Sequence, residues 1–411
     1  MQIYLVGGAV RDRLLGIKNH DKDWLVVGST PDQMLRQGYQ SVGKEFPVFL
    51  HPKTKEEYAL ARTEKKSGSG YTGFECFFSQ DVTLEEDLKR RDLTINAIAM
   101  DDDGTLHDPY NGQQDLKDRK LRHVSEAFVE DPLRVLRVAR FAAKLSHMGF
   151  RVADETIELM RQIVLSGELS HLTPERVWQE WHKSLLTQNP DVFLSVLREC
   201  GALKIVLPEF DALFGVPQPE KWHPEIDTGV HTLMVANQAA KLVSSPVIRF
   251  AAQTHDLGKG VTPKAEWPSH KMHESRGLPI IKALCERVRV PNEYKELALA
   301  VCAQHSNIHR AKELRPATFL KIFNSLDVWR KPEKLGGVLL SCVADHQGRK
   351  GFEDNAYPQK AIVESAYQAA LSIEVQEIIS DGFKGKAIRD ELDKRRIDAI
   401  SIALADSRQT D

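Results

Sequence analysis

The sequence predicts an α+β head, a mixed sheet with helices, followed by an all-α neck and body and a further all-α domain. Over the first third, the short β-rich runs IYLVGG, DWLVVGS and VFLHPKTKEEYALAR alternate with Gly and Pro punctuation, and a turn divides the last run in two. From Pro132 onward the apolar residues Leu133, Leu136, Val138 and Ala142 fall at helical period, and the pattern stays helical almost to the end. At 411 residues the chain also exceeds what one hydrophobic core fills, so two or three domains are expected.

Composition narrows the class before any motif does. Hydrophobic residues at 42% and charged residues at 28% suit a packed soluble protein and exclude a disordered one. The opening MQIYLVGGAV lacks a basic flank and is cut by Arg11 and Asp12, so neither a signal peptide nor a membrane span is expected, and a cytosolic location is. Five scattered cysteines without a C-x-x-C pair exclude a disulfide framework or zinc ribbon and read as reduced and mostly buried. A net charge of -2 gives no global nucleic-acid signal, but basic residues outnumber acidic ones between Lys117 and Arg151.

Helix starts stand at Asp131-Pro132, Thr173-Pro174 and Asn189-Pro190, each a capping residue followed by proline. The looser stretch Phe214 to Pro224, with three prolines and a glycine, marks a domain boundary. The expected organisation is a head over 1–140, a helical neck and body over 141–225, a third domain over 226–347 and a helical tail over 348–411 with no function assigned.

In the head, Gly7-Gly8-Ala9-Val10-Arg11-Asp12 follows a β-rich run and opens a helix, which suits phosphate held at Gly8 with Arg11 reinforcing it, or a plain tight turn. Asp21-Lys22-Asp23 leads into a strand, where alternation sets both aspartates on one face. Side-by-side carboxylates repel unless a cation joins them, and Mg2+ prefers oxygen ligands of this kind. This combination resembles motif A of the polymerase-β-like nucleotidyltransferases, in the class II branch that holds CCA-adding enzymes and bacterial poly(A) polymerases. The resemblance implies two-metal nucleotidyl transfer with Asp21 and Asp23 as Mg2+ ligands and catalytic carboxylates, and Glu57 is the candidate third carboxylate.

Arg90-Arg91-Asp92-Leu93-Thr94-Ile95-Asn96 resembles the family's motif B, which implies Arg91 as a nucleotide contact, with Asp92 and Asn96 on the sugar or fixing the loop. Glu130-Asp131-Pro132-Leu133-Arg134 resembles its E-D-x-x-R motif. Cytosine and adenine both present an amino donor beside a ring-nitrogen acceptor, so an accepting Asp131 and a donating Arg134, one helical turn apart, can read both. Sites of this kind discriminate by roughly 10,000-fold, so UTP and GTP should be rejected. Arg134, Arg137 and Arg140 share a helix face, and Arg137 and Arg140 could clamp phosphates; a capped helix with a wet arginine side is the plainer account.

Downstream, His255-Asp256-Leu257-Gly258-Lys259, with His231 before and Asp345 after, resembles the HD superfamily of metal-dependent phosphohydrolases. Imidazoles with carboxylates suit a divalent transition metal, nickel among them, with His231, His255, Asp256 and Asp345 as ligands. His270, His273 and His305 are candidates for a phosphate-facing shell, and His305 is the substitute should Asp345 point elsewhere.

The resemblance covers nearly the whole chain, including Thr173-Pro174-Glu175-Arg176-Val177-Trp178 in the neck, and is closest to the long bacterial CCA-adding form with a C-terminal HD domain. It implies CCA addition and repair on tRNA from CTP and ATP, with phosphatase, 2′-nucleotidase and 2′,3′-cyclic phosphodiesterase activity, in a monomer or homodimer without membrane contact. Poly(A) synthesis is the alternative within the class; an HD phosphohydrolase with an inactive RNA-binding head, or a structural tRNA chaperone, are alternatives outside it.

Overall fold

The computed structural model describes residues 1–18, 22–42, 48–66 and 74–409, the side chains of 64–66, 74–78 and 406–409 excepted. The chain forms two compact units, Met1–Ser184 with Val192–Val206, and Leu207–Asp411 with Leu185–Asp191.

The first unit is built on a seven-stranded sheet. Its strands are β1 (Gln2–Val6), β2 (Asp23–Val27), β3 (Gln40–Val42), β4 (Val48–Leu50), β5 (Glu57–Leu60), β8 (Ala99–Met100) and β9 (Leu106–His107), in the order β3-β4-β5-β2-β1-β8-β9. Strands β6 (Arg62–Lys66) and β7 (Phe74–Phe78) form a separate hairpin. The sheet is mixed, since β2 and β5 run parallel while β1 and β2 run antiparallel. Strand β2 reads as a nearly unbroken apolar run because both faces are covered. Leu25 joins Tyr4, Val6 and Leu88 on one side, and Val26 joins Met34, Phe49 and Tyr58 on the other. Polarity returns only at the strand's exposed first residue, Asp23.

Helices follow as the periodicity predicts. In Leu133–Leu145, Val135, Leu136, Val138 and Ala139 are fully buried, and the Asp131 carboxylate accepts from Leu133 N at 3.0 Å, capping the start. The neck helix Pro174–Leu185 buries Val177, Trp178 and Trp181.

The second unit is helical among the described residues. Val235, Ala239, Ala252 and Ala344 pack together from the helices Thr228–Leu242, Pro246–Thr254 and Glu333–Gln347. Arg249, 7% exposed, donates to the carbonyls of Leu185, Thr187, Ala240 and Val243, satisfying acceptors that helix ends leave open and tying Leu185–Asp191 to this unit. The tail forms the helices Pro358–Leu371, Val375–Ser380 and Lys386–Gln409, with Arg396 stacked 3.7 Å above the Trp329 ring. Cys200, Cys285, Cys302 and Cys342 are buried and unbridged, as expected. No helix among the described residues is long and apolar enough to cross a membrane.

Candidate functional site

The head carries a cleft of about 790 Å³, lined by Gly7, Gly8, Arg11, Asp23, Arg91, Asp92, Asn96, Asp131, Arg134, Arg137 and Arg140 among others. Residues predicted from three separate stretches of sequence therefore meet in one place. Asp21 lies outside the described residues, and β2 begins at Asp23. Glu57 does not line the cleft, yet the parallel register sets it beside Asp23, so two exposed carboxylates start neighbouring strands on one sheet face. That pairing suits a divalent cation, which both could approach.

Gly7, at φ +68°, makes the turn after β1, and a Cβ there would stand 3.0 Å from Arg91 Nη1. The glycine thus serves the turn and the close approach of an arginine together. Arg11 donates through Nε to Asp12 Oδ1 at 2.8 Å and through Nη1 to Asn96 Oδ1 at 2.6 Å. Asn96 Nδ2 donates to Asp92 Oδ1 at 3.0 Å, and Arg137 Nε to Asp92 Oδ2 at 2.7 Å. Motif B and the arginine helix are therefore joined by one buried carboxylate. Burial disfavours charge on Asp92, but the charge of Arg137, the hydrogen bonds from Asn96 and Arg137, and the charge of Arg134 hold it well below the usual carboxylate range.

Asp87, fully buried, anchors the arginine pair of motif B, accepting from Arg90 at 3.1 Å and from Arg91 at 3.2 Å. Its spacing of three and four residues from those arginines was the available signal. Arg134 is only 7% exposed, and the expected wet side is partly dry. Its Nη1 and Nη2 donate to Ala127 O at 2.7 Å and Arg90 O at 2.5 Å, which fixes the plane of the fork. Arg140 pairs through Nε with the buried Glu180 of the neck helix and lies 4.0 Å over the Phe141 ring. The cleft also takes in Arg62 and Lys183, which sequence reasoning missed, and Arg90, Lys144 and Arg176, which lie in runs singled out from the sequence but were given no role there. Its cations far exceed its carboxylates, the balance a polyphosphate requires.

In the second unit, His231, His255, Asp256 and Asp345 do converge. His231 Nε2 lies 3.0 Å from Asp345 Oδ1, and His255 Nε2 lies 3.1 Å from Asp256 Oδ2 and 3.4 Å from Asp345 Oδ2. Asp345 points into the cluster, so His305 is not its substitute. His273 and His305 gather instead on Asp256, with their Nε2 atoms 3.3 and 3.6 Å from Oδ1. His270 takes no part: both its nitrogens bond outside the cluster, to Thr262 Oγ1 and Pro217 O.

The donor chemistry fits a metal. His255, His273 and His305 each spend Nδ1 on a main-chain carbonyl, which only accepts, leaving each Nε2 lone pair free to ligate. His231 Nδ1, His255 Nε2 and Asp256 Oδ1 are buried without a hydrogen bond although anionic or imidazole atoms stand near. Close approach without hydrogen-bond direction is what a shared cation accounts for. Burial opposes charge on His255, but Asp256 and Asp345 lift it to about 9, the mark of a strongly anionic pocket. Sequence reasoning missed Glu225, whose Oε1 lies 2.9 Å from His231 Nδ1, and Lys259, whose Nζ lies 2.6 Å from Asp256 Oδ2. Lys259 was legible as the end of the His-Asp-Leu-Gly-Lys run.

Family models match in the same order as these parts. Residues 3–122 match the poly A polymerase head domain, 149–214 the probable RNA and SrmB-binding site of polymerase A, and 228–346 the HD domain. Fold and sites together define a nucleotidyltransferase joined to a metal-binding phosphohydrolase domain. A protein of Vibrio vulnificus strain YJ016, described as a multifunctional CCA protein, is 74% identical over 98% of this chain and 99% of its own length. The chain belongs to the family of multifunctional CCA proteins. The fold is shared with the Bacillus stearothermophilus CCA-adding enzyme in complex with CTP, at a TM-score of 0.62 and 24% identity over 99% of this chain and 93% of that one. It is shared also with the Thermotoga maritima CCA-adding enzyme complexed with tRNA, at 0.61 and 20% over 98% and 91%.

Proposed function

We propose that the head cleft adds cytidine and adenosine nucleotides from CTP and ATP to the 3′ end of tRNA until CCA is complete, and that the HD cluster hydrolyses phosphate esters on RNA ends or nucleotides. One observation carries the first part: Asp131 and Arg134, one helical turn apart, line the same cleft as Asp23 and Arg91. The Vibrio relative's description and the CTP and tRNA complexes of the two fold relatives support it.

In this reading Asp131 accepts from the base's amino group while Arg134 donates to the ring nitrogen. Two main-chain carbonyls hold the Arg134 fork in advance, so little ordering remains to be done when the base arrives. Gly8, Arg91, Arg137 and Arg140 surround the triphosphate, Arg11 adds its charge from its bonds to Asp12 and Asn96, and together they offset the charge of departing pyrophosphate. Mg2+ held by Asp21 and Asp23, with Glu57 adjacent, would supply activation of the attacking hydroxyl and neutralisation of the phosphates. Residues 141–225 grip the tRNA, and Arg176 and Lys183 bring neck charge to the cleft.

In the HD domain, a divalent transition metal on His231, His255, Asp256 and Asp345, nickel being one that suits the donors, would supply an acidified water. Lys259 Nζ sets a positive charge against Asp256 Oδ2 at 2.6 Å. The substrates proposed are terminal phosphates and 2′,3′-cyclic phosphates, whose removal frees the 3′-hydroxyl that the head needs.

The test is incorporation of each labelled nucleotide, with magnesium, onto tRNA lacking one, two or three terminal residues. Use of CTP and ATP alone, stopping at CCA, is expected. Long A-tails on any RNA would favour poly(A) synthesis, the reading that the match to poly A polymerase heads suggests.

A further inference from the structure

We infer that Tyr357, supplied by the C-terminal tail, is a positioning residue for Asp345 acting through His309, so that the HD site is complete only with the tail in place. This rests on the metal-binding reading of the HD cluster. The match to the HD family ends at residue 346, and neither Tyr357 nor the tail has a role in that reading.

The Tyr357 hydroxyl lies 2.8 Å from His309 Nδ1, and His309 Nε2 lies 2.6 Å from Asp345 Oδ2. A carboxylate only accepts, so in the neutral ring Nε2 donates to Asp345 and Nδ1 must accept the phenol hydrogen. The direction of both bonds is thereby set. Asp345 is then held at Oδ2 by His309, while Oδ1 faces His231 Nε2 at 3.0 Å within the cluster, so the His309 bond sets the rotation of the carboxyl plane. The tail secures His309 a second time, since Gln359 Nε2 donates to the His309 carbonyl at 3.3 Å. Pro358 bears on the local geometry: helical backbone is disfavoured before proline, and Tyr357 lies outside it (φ -119°, ψ 79°) ahead of the helix Pro358–Leu371. Its ring meets His309 edge-on with centroids 5.6 Å apart and is 9% exposed. A buried phenol, aimed at an imidazole that is aimed at a ligand, has the arrangement of an outer-shell support for a metal site.

The experiment titrates Co2+ into the full-length chain and follows its visible absorption, taking the difference from His255→Ala to isolate the HD signal. Tyr357→Phe, which removes one oxygen, is compared with Tyr367→Phe, which removes from the helix that follows Tyr357 a hydroxyl that donates to Val328 O. Circular dichroism and thermal unfolding report that each variant is folded, and nucleotide addition reports on the head alone. The expected result is Co2+ affinity weakened on the order of tenfold, with altered band intensities, in Tyr357→Phe alone. A Tyr357→Phe titration that overlays wild type, or equal losses in both variants, overturns the inference. A wild-type signal no greater than that of His255→Ala removes the metal reading itself, and the inference with it.

Discussion

His273 Nε2 and His305 Nε2 face each other at 3.0 Å, and neither ring can turn away, because each Nδ1 is bonded to main-chain oxygen. Two lone pairs at that distance repel unless a cation or a proton lies between them, and Asp256 Oδ1 is close enough to share either. His305→Ala is expected to lower bound transition metal by roughly 10- to 100-fold in affinity, read as metal content after dialysis, while nucleotide addition is unchanged. Unaltered metal content would assign the pair to a shared proton.

Gly258 answers to the same cluster. A Cβ there would meet His273 O at 1.9 Å and Gly277 N at 2.7 Å, both of them backbone. Gly258→Ala should push the start of the helix His273–Arg287 outward and cost about 1–3 kcal/mol. Thermal unfolding with and without added metal checks this, and a loss of metal protection is expected alongside the lower melting point.

Asp131 both caps a helix and, in the proposed reading, reads a base. Asp131→Asn keeps an acceptor for Leu133 N but adds a donor where the base presents one. Selection of CTP and ATP over UTP and GTP, compared as kcat/KM, should fall from roughly 10,000-fold toward roughly 100-fold with little change in stability. Selection left intact would return Asp131 to a purely structural part.

The Asp92 link makes a prediction in pH. Its native pKa is depressed, so its contribution to stability is present above the unfolded value of about 3.9 and is lost as pH falls through the native one. Denaturation of wild type and Asp92→Asn should therefore differ equally at pH 7 and pH 5, with the gap narrowing below about pH 4. The same variant frees Arg137 and should raise KM for CTP.

The division into a sheet-bearing head and a helical remainder was legible because strand and helix periods differ and proline marks the helix starts. Asp23, Arg91, Asp131 and Arg134 were legible as motif positions, and the structure lines one cleft with them. What sequence could not supply is pairing across distance. Nothing local tells that Arg140 is bound to Glu180, forty residues on, or that Arg11 is spent on Asn96. His309 and Tyr357 have no motif, and only the fold brings them to Asp345. Among the histidines, residue type alone did not separate His270, whose ring is consumed by Thr262 and Pro217, from His273 three residues later.

The four buried cysteines have a use outside the chemistry of RNA ends. Burial pushes the thiols of Cys285 and Cys302 up to about 12 and that of Cys200 to about 11, and Cys342 is raised well beyond the ordinary range. Alkylating reagents attack the thiolate, which at neutral pH hardly exists at these positions while the chain stays closed. Each sulfur is thus a timer for the opening of its own surroundings: Cys200 reports on the first unit and the other three on the second. Alkylation rates read peptide by peptide would show whether the two units open together or one before the other.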